Sequence, residues 1–102
     1  MAYLIYVTDH DGMEETRERL RNAHRDHLRS AGKKLIASGA LLDDSGNKVI
    51  GGLSILDTDD KEEALRFAHE DPYAKAGVPK ENRVIRWRRR WADGEFLGNV
   101  SS

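Results

Sequence analysis

His24 and His27 stand three residues apart in the stretch RNAHRDHL, residues 21–28, of a 102-residue chain that holds four histidines. Imidazole titrates near neutral pH and can both take and give a proton, which suits general acid–base work. The surrounding sequence reads as helix. Leu20, His24, His27, Leu28, Ala31 and Leu35 recur at the three/four spacing of one helix face. A histidine on that face needs a polar partner, because an unsatisfied buried polar group costs about 1–3 kcal/mol. Asp71 needs a partner too. It precedes Pro72 at the expected C-terminus of a second helix, where the helix dipole disfavours a carboxylate. One His24–Asp71 contact would answer both needs and leave His24 free to move a proton. The plainer readings are a hydrogen-bonded core histidine and an ordinary Asp-Pro turn. His27 is expected on the rim of the same pocket.

Other chemistries are less well supplied. Zinc needs three or four convergent ligands. The histidine pair has no clear third ligand, even with His69 and Asp71 close together in sequence, so neither a metal nor a cofactor is expected. The absence of cysteine excludes disulfides and thiolate sites. The stretch RWRRRW, residues 86–91, mixes basic and aromatic residues as nucleic-acid binders do. In a strand, however, the tryptophans would face away from Arg86, Arg88 and Arg90, and the formal net charge of the chain is −1. This stretch is therefore read as a charged edge strand, with no nucleic-acid partner. The start, MAYLIYVTDHDG, carries no basic leader, and no apolar run approaches membrane length. A soluble, cytoplasmic protein with no membrane partner is expected.

The elements that must position these residues follow from periodicity. AYLIYVT, residues 2–8, is apolar on both faces and reads as a central strand. The first helix opens with Asp11 and Glu14 at capping-box spacing and runs past Gly32 to a stop at Gly39. A short strand around Ala40–Leu42, a polar turn at residues 44–47 and a return strand KVIGGLSILDT come next. The Gly51-Gly52 pair in that strand suggests a bulge or a close backbone approach. A second helix is capped by Asp59 or Asp60 and ends at Pro72. ENRVIRWRRRW is the last strand, with Ile85, Trp87 and Trp91 on one side. The domain is expected to span residues 1–91, with a tail at 92–102.

The order β-α-β-β-α-β defines an α+β, ferredoxin-like sandwich. Two-sided apolar strands belong in the centre, which gives the antiparallel sheet order 2-3-1-4. Two helices cover one sheet face only. The other apolar face needs a cover, and a second copy of the same sheet is the simplest, so a homodimer through the sheet face is expected; the alternatives are a C-terminal tail folded across the sheet and an unrelated partner.

Several short motifs in this order resemble the YCII-related family. They are Arg21, Ala23-His24 and Leu28 in the first helix, Gly39 at the next strand, Asp71-Pro72-Tyr73 with Gly77-Val78, and the closing strand near Trp87. The resemblance covers residues 2 to about 91. It implies a dimeric ferredoxin-like fold and a site built on a His and an Asp, here His24 and Asp71. Arg21, His27 and Tyr73 then become substrate-binding candidates, with Arg21 suited to a carboxylate. Where many members have Gly-Pro-Leu, this chain has Gly39-Ala40-Leu41, a departure at the pocket wall that keeps the substrate from being carried over. The function expected from residues and resemblance together is cofactor-free lyase, isomerase or dehydrohalogenase chemistry on a small organic acid or lactone. The alternative is a non-catalytic module that holds a small molecule in the same pocket.

Overall fold

Strand pairing accounts for most of the architecture. The structure, a computed structural model, describes residues 1–98. Four strands, β1 (Ala2–Asp9), β2 (Leu35–Leu42), β3 (Val49–Leu56) and β4 (Pro79–Trp87), form one antiparallel sheet in the order β2-β3-β1-β4. The two strands that are apolar on both faces are the central ones, as their composition requires. Three helices connect them: α1 (Glu14–Ser30), α2 (Lys61–Glu70) and α3 (Pro72–Lys75). This is the expected ferredoxin-like arrangement, with one short helix added.

The alternation of β1 divides the sheet into two faces. Tyr3 and Ile5 point toward the helices and are buried. Tyr3 packs with Leu56 and with Ala64 of α2, and Ala31, Phe67 and Val84 close around them. The buried alanines Ala64 and Ala68 let α2 lie close on the sheet. The Asp60 carboxylate starts that helix by accepting from the Glu62 amide at 2.9 Å. On the other face, alternation sets Leu4 and Tyr6 beside Leu53, Ile55, Ile85 and Trp87. Of these, Ile85 is exposed and the others are half-buried.

Four local expectations are corrected. α1 begins after Met13 with no side-chain cap, so the Asp11–Glu14 capping box does not form. The helix ends at Ser30 instead of reaching Gly39. Gly32 takes a left-handed φ of 58°, a 3₁₀ turn follows at Gly32–Lys34, and Leu35 enters β2. Pairing along β3 outweighs the helical spacing of Leu35, and β2 is eight residues long instead of short. The last strand stops at Trp87. Trp91 lies instead in a separate hairpin of β5 (Trp91–Ala92) and β6 (Glu95–Phe96), where its ring meets Phe96 at 5.1 Å. The first part of the expected tail is thus this hairpin, and residues 99–102 lie outside the described residues. Among the described residues no helix is long and apolar enough to cross a membrane.

Candidate active site

His24 and Asp71 come from different elements and meet where α1 passes the corner between α2 and α3. His24 Nδ1 lies 3.0 Å from Asp71 Oδ1, and each side chain is about four-fifths buried, with relative exposures of 23% and 21%. A carboxylate can only accept, so Nδ1 carries the proton and donates it. In the neutral ring this leaves Nε2 as the basic nitrogen.

Pro72 creates the corner. It drives Asp71 into an extended conformation, φ −56° and ψ 130°, which ends α2. The same proline opens α3, and Asp71 Oδ1 accepts the Tyr73 amide at 2.9 Å as its N-cap. The carboxylate that sequence places at an unfavourable helix end therefore also sits at a favourable helix start.

Tyr73 forms the wall behind His24. The two rings stack with centroids 4.1 Å apart and planes 18° from parallel. Tyr73 is 8% exposed, and its hydroxyl donates to the Arg17 carbonyl at 3.2 Å. Burial pushes the Tyr73 phenol above its ordinary value, and the Asp71 charge adds to the effect against the opposing pull of Arg17. The Arg17 guanidinium stands 4.7 Å from the Tyr73 ring centre. It grips Asp9 with two bonds, Nε to Oδ2 at 2.6 Å and Nη2 to Oδ1 at 2.8 Å. Burial alone would lower the Arg17 pKa, but the Asp9 carboxylate outweighs burial and raises it.

A cleft of about 850 Å³ opens between α1 and the inner face of β2 and β3. Arg21, His24, Arg25 and Leu28 line its α1 side, and Asp71, Tyr73 and Asn82 line it near the corner. Ser38 and Ser54 are paired residues of β2 and β3 that also line the cleft, with hydroxyls 2.9 Å apart. A basic nitrogen, guanidinium groups and hydroxyls thus share one cavity, enough to orient a small polar anion and move a proton on it.

The structure brings four of the five sequence-derived candidates to this cleft. His24 and Asp71 form a pair, and Tyr73 is packed behind it. Arg21 lines the cleft while its guanidinium donates to Glu18 one turn earlier. His27 is turned elsewhere and is not among the lining residues. Its Nε2 donates to the Phe67 carbonyl at 2.8 Å and its ring stacks on Phe67 at 4.5 Å, which ties α1 to α2. Sequence reasoning missed Asp9, Arg17, Ser38 and Ser54. For Ser54 a signal was present, since it is a hydroxyl residue in the core-facing row of a central strand, between Gly52 and Leu56. Asp9 and Arg17 gave none, because their meeting depends on the approach of α1 to the end of β1.

A four-stranded antiparallel sheet in this order, with helices against one face and a cleft beneath α1 that holds a few polar side chains, defines a small ferredoxin-like α+β protein. Residues 1–88 match the model of the YCII-related domain, and the chain belongs to that family. Among solved structures it is similar to 5-chloro-2-hydroxyhydroquinone dehydrochlorinase from Burkholderia phenoliruptrix AC1100, in complex with 2,5-dihydroxybenzoquinone. The identity is 27% and the TM-score 0.78, over 86% of this chain and 94% of the other. No curated protein matches.

Proposed function

We propose that this protein is a cofactor-free acid–base enzyme of the dehydrohalogenase or isomerase type, acting on a small hydroxylated, carboxylated or lactone substrate. The observation that carries the reading is the 3.0 Å His24–Asp71 contact at the edge of the cleft. Asp71 holds the imidazole in the Nδ1–H tautomer and stabilises the cation formed when Nε2 takes a proton. In dehydrohalogenation, His24 Nε2 removes a proton from the substrate. The electron pair of the broken bond becomes a new double bond, halide leaves with its own bonding pair, and the imidazolium returns its proton to water. The products are the unsaturated compound and HX, and no electron acceptor is needed. In isomerisation the same proton returns to a different substrate carbon. The similarity to a dehydrochlorinase supports the first form. Arg21 and Arg25 supply positive charge for an acidic or phenolic group.

The test is chloride release from 5-chloro-2-hydroxyhydroquinone and from chlorinated lactones, followed with a chloride electrode and by ultraviolet absorbance. His24→Ala and Asp71→Asn are expected to lower kcat by about 10²–10⁴-fold. Turnover undiminished in His24→Ala would overturn the reading. Saturable binding of these compounds without turnover would assign the cleft to a binding module.

The reading includes a homodimer formed through the outer sheet face. Leu4, Tyr6, Leu53, Ile55 and Ile85 make an apolar patch there, beyond the reach of the helices. Light scattering at micromolar concentration is expected to give twice the 11.5 kDa chain mass. A monodisperse monomer would refute the dimer and leave the chemistry standing.

A further inference from the structure

A hydrogen bond to Asp71 fixes one atom of the His24 ring, and one fixed atom does not fix the ring's plane. The plane is held by Tyr73, and Tyr73 is itself held at three points. Its amide bonds Asp71 Oδ1 at 2.9 Å, its hydroxyl bonds the Arg17 carbonyl at 3.2 Å, and its ring lies against the Arg17 guanidinium at 4.7 Å. Arg17 and His24 are seven residues apart on α1, or roughly 10.5 Å of helix rise. That spacing admits one aromatic ring in contact with both side chains.

An arginine side chain is flexible, and a guanidinium left free would be a poor support for a ring. Here it is clamped. Two bonds of 2.6 and 2.8 Å tie it to Asp9, whose side chain is only 5% exposed and which ends the central strand β1. A bidentate fork fixes the guanidinium plane as well as its position. The contacts therefore run without a gap from the end of the central strand through Asp9, Arg17 and Tyr73 to the imidazole.

We propose that Asp9 and Arg17 are positioning residues for His24, acting through the Tyr73 ring to hold Nε2 in its reactive direction. Asp9 lies outside the cleft lining, and Arg17, which does line the cleft, has its guanidinium committed to Asp9. The inference rests on His24 being the base of the proposed reaction, and its first readout needs no substrate.

That readout is the ¹⁵N spectrum of the His24 ring in labelled protein, which reports which nitrogen carries the proton. The native protein is expected to show a single Nδ1–H tautomer in neutral-ring conditions. Arg17→Met keeps the stem and removes the fork, Asp9→Asn keeps the shape and removes the charge, and Tyr73→Leu removes the stacking face. Each is expected to shift the His24 signals toward a mixture of tautomers, Tyr73→Leu most. Tyr73→Phe keeps the face and loses only the hydroxyl, so its effect should be smaller than that of Tyr73→Leu. With 5-chloro-2-hydroxyhydroquinone, Tyr73→Leu is expected to lower kcat by about 10²-fold with little change in KM, the size of effect a misplaced reactive group produces. Circular dichroism identifies any variant that fails to fold, and the remaining variants then decide. Arg17→Met and Asp9→Asn folded, with His24 signals identical to the native ones, would overturn the proposal whether or not that compound is turned over. A native protein that turns over none of the compounds, yet whose His24 tautomer depends on Arg17, would retain the positioning chain and refute only the reaction.

Discussion

Substituting Gly51 by alanine tests the tightest approach in the sheet. Gly51 lies in β3 opposite Thr8 of β1. A Cβ on Gly51 would sit 2.0 Å from the Val7 carbonyl oxygen and 3.1 Å from the Val7 carbonyl carbon. Carbon–oxygen contacts ordinarily stop at about 3.3 Å, so the two central strands must part by more than about 1 Å at this end. The obstacle is backbone, which cannot rotate aside as a side-chain tip can. Overpacking of this kind costs about 1–3 kcal/mol. Losing one or two ladder hydrogen bonds where the strands part adds about 1 kcal/mol each. A total near 3 kcal/mol should lower Tm by roughly 12–24 °C in a domain of this size. Thermal unfolding followed by circular dichroism measures this directly. Gly39→Ala, in β2, is the control, because a Cβ there meets nothing within 4 Å. Its effect should stay within about 1 kcal/mol. If Gly51→Ala melts within a few degrees of the native protein, the strand ends yield easily and the close approach is no constraint.

Alkaline titration should show a tyrosine that ionises late, and Tyr73→Phe should remove it, read from phenolate absorbance. The Tyr73 phenol is raised by burial, so its stability contribution is complete below the ordinary phenol value and is lost as pH rises through the raised one. At the acid end, Lys34 donates to Glu63 at 2.9 and 3.0 Å and holds that carboxyl below its usual range. Its contribution is present above the ordinary glutamate value and lost as pH falls through the lowered one, and Lys34→Gln should move the Glu63 titration upward by NMR. His27→Phe keeps an aromatic ring against Phe67 and gives up the bond to the Phe67 carbonyl. Urea unfolding should show a loss of about 1 kcal/mol with substrate KM unchanged, and a raised KM would place His27 in binding after all.

The sheet was readable because its signal is redundant. Residues 2–8 and 49–56 are apolar on both faces, which makes them central, and right-handed crossovers between the β-α-β units then give the order of the sheet. The pairing of His24 with Asp71 was readable from two separate needs, a donor at a helix end and an acceptor on an inner helix face. The segment 31–39 misled for a local reason. Ala31 and Leu35 fit the helical spacing of the residues before them, and the competing claim on Leu35 comes from β3, distant in sequence. α3 was hidden because Pro72 reads equally as an end and as a beginning. His27 shares its histidine chemistry with His24 but points about 60° away from it around α1, and it meets a carbonyl instead of a carboxylate. Nothing in a residue's type records that difference in angle.

The amide of Tyr73 and the imidazole of His24 share one acceptor atom, Asp71 Oδ1. Any excursion that swings the Asp71 carboxylate away strips both at once. Solvent exchange of the Tyr73 amide proton therefore counts the moments at which the candidate base is without its partner. A slow exchanger means that the pair stands assembled before any molecule enters the cleft. A fast one means that assembly is part of every encounter, and that whatever enters must wait for the α2–α3 corner to close.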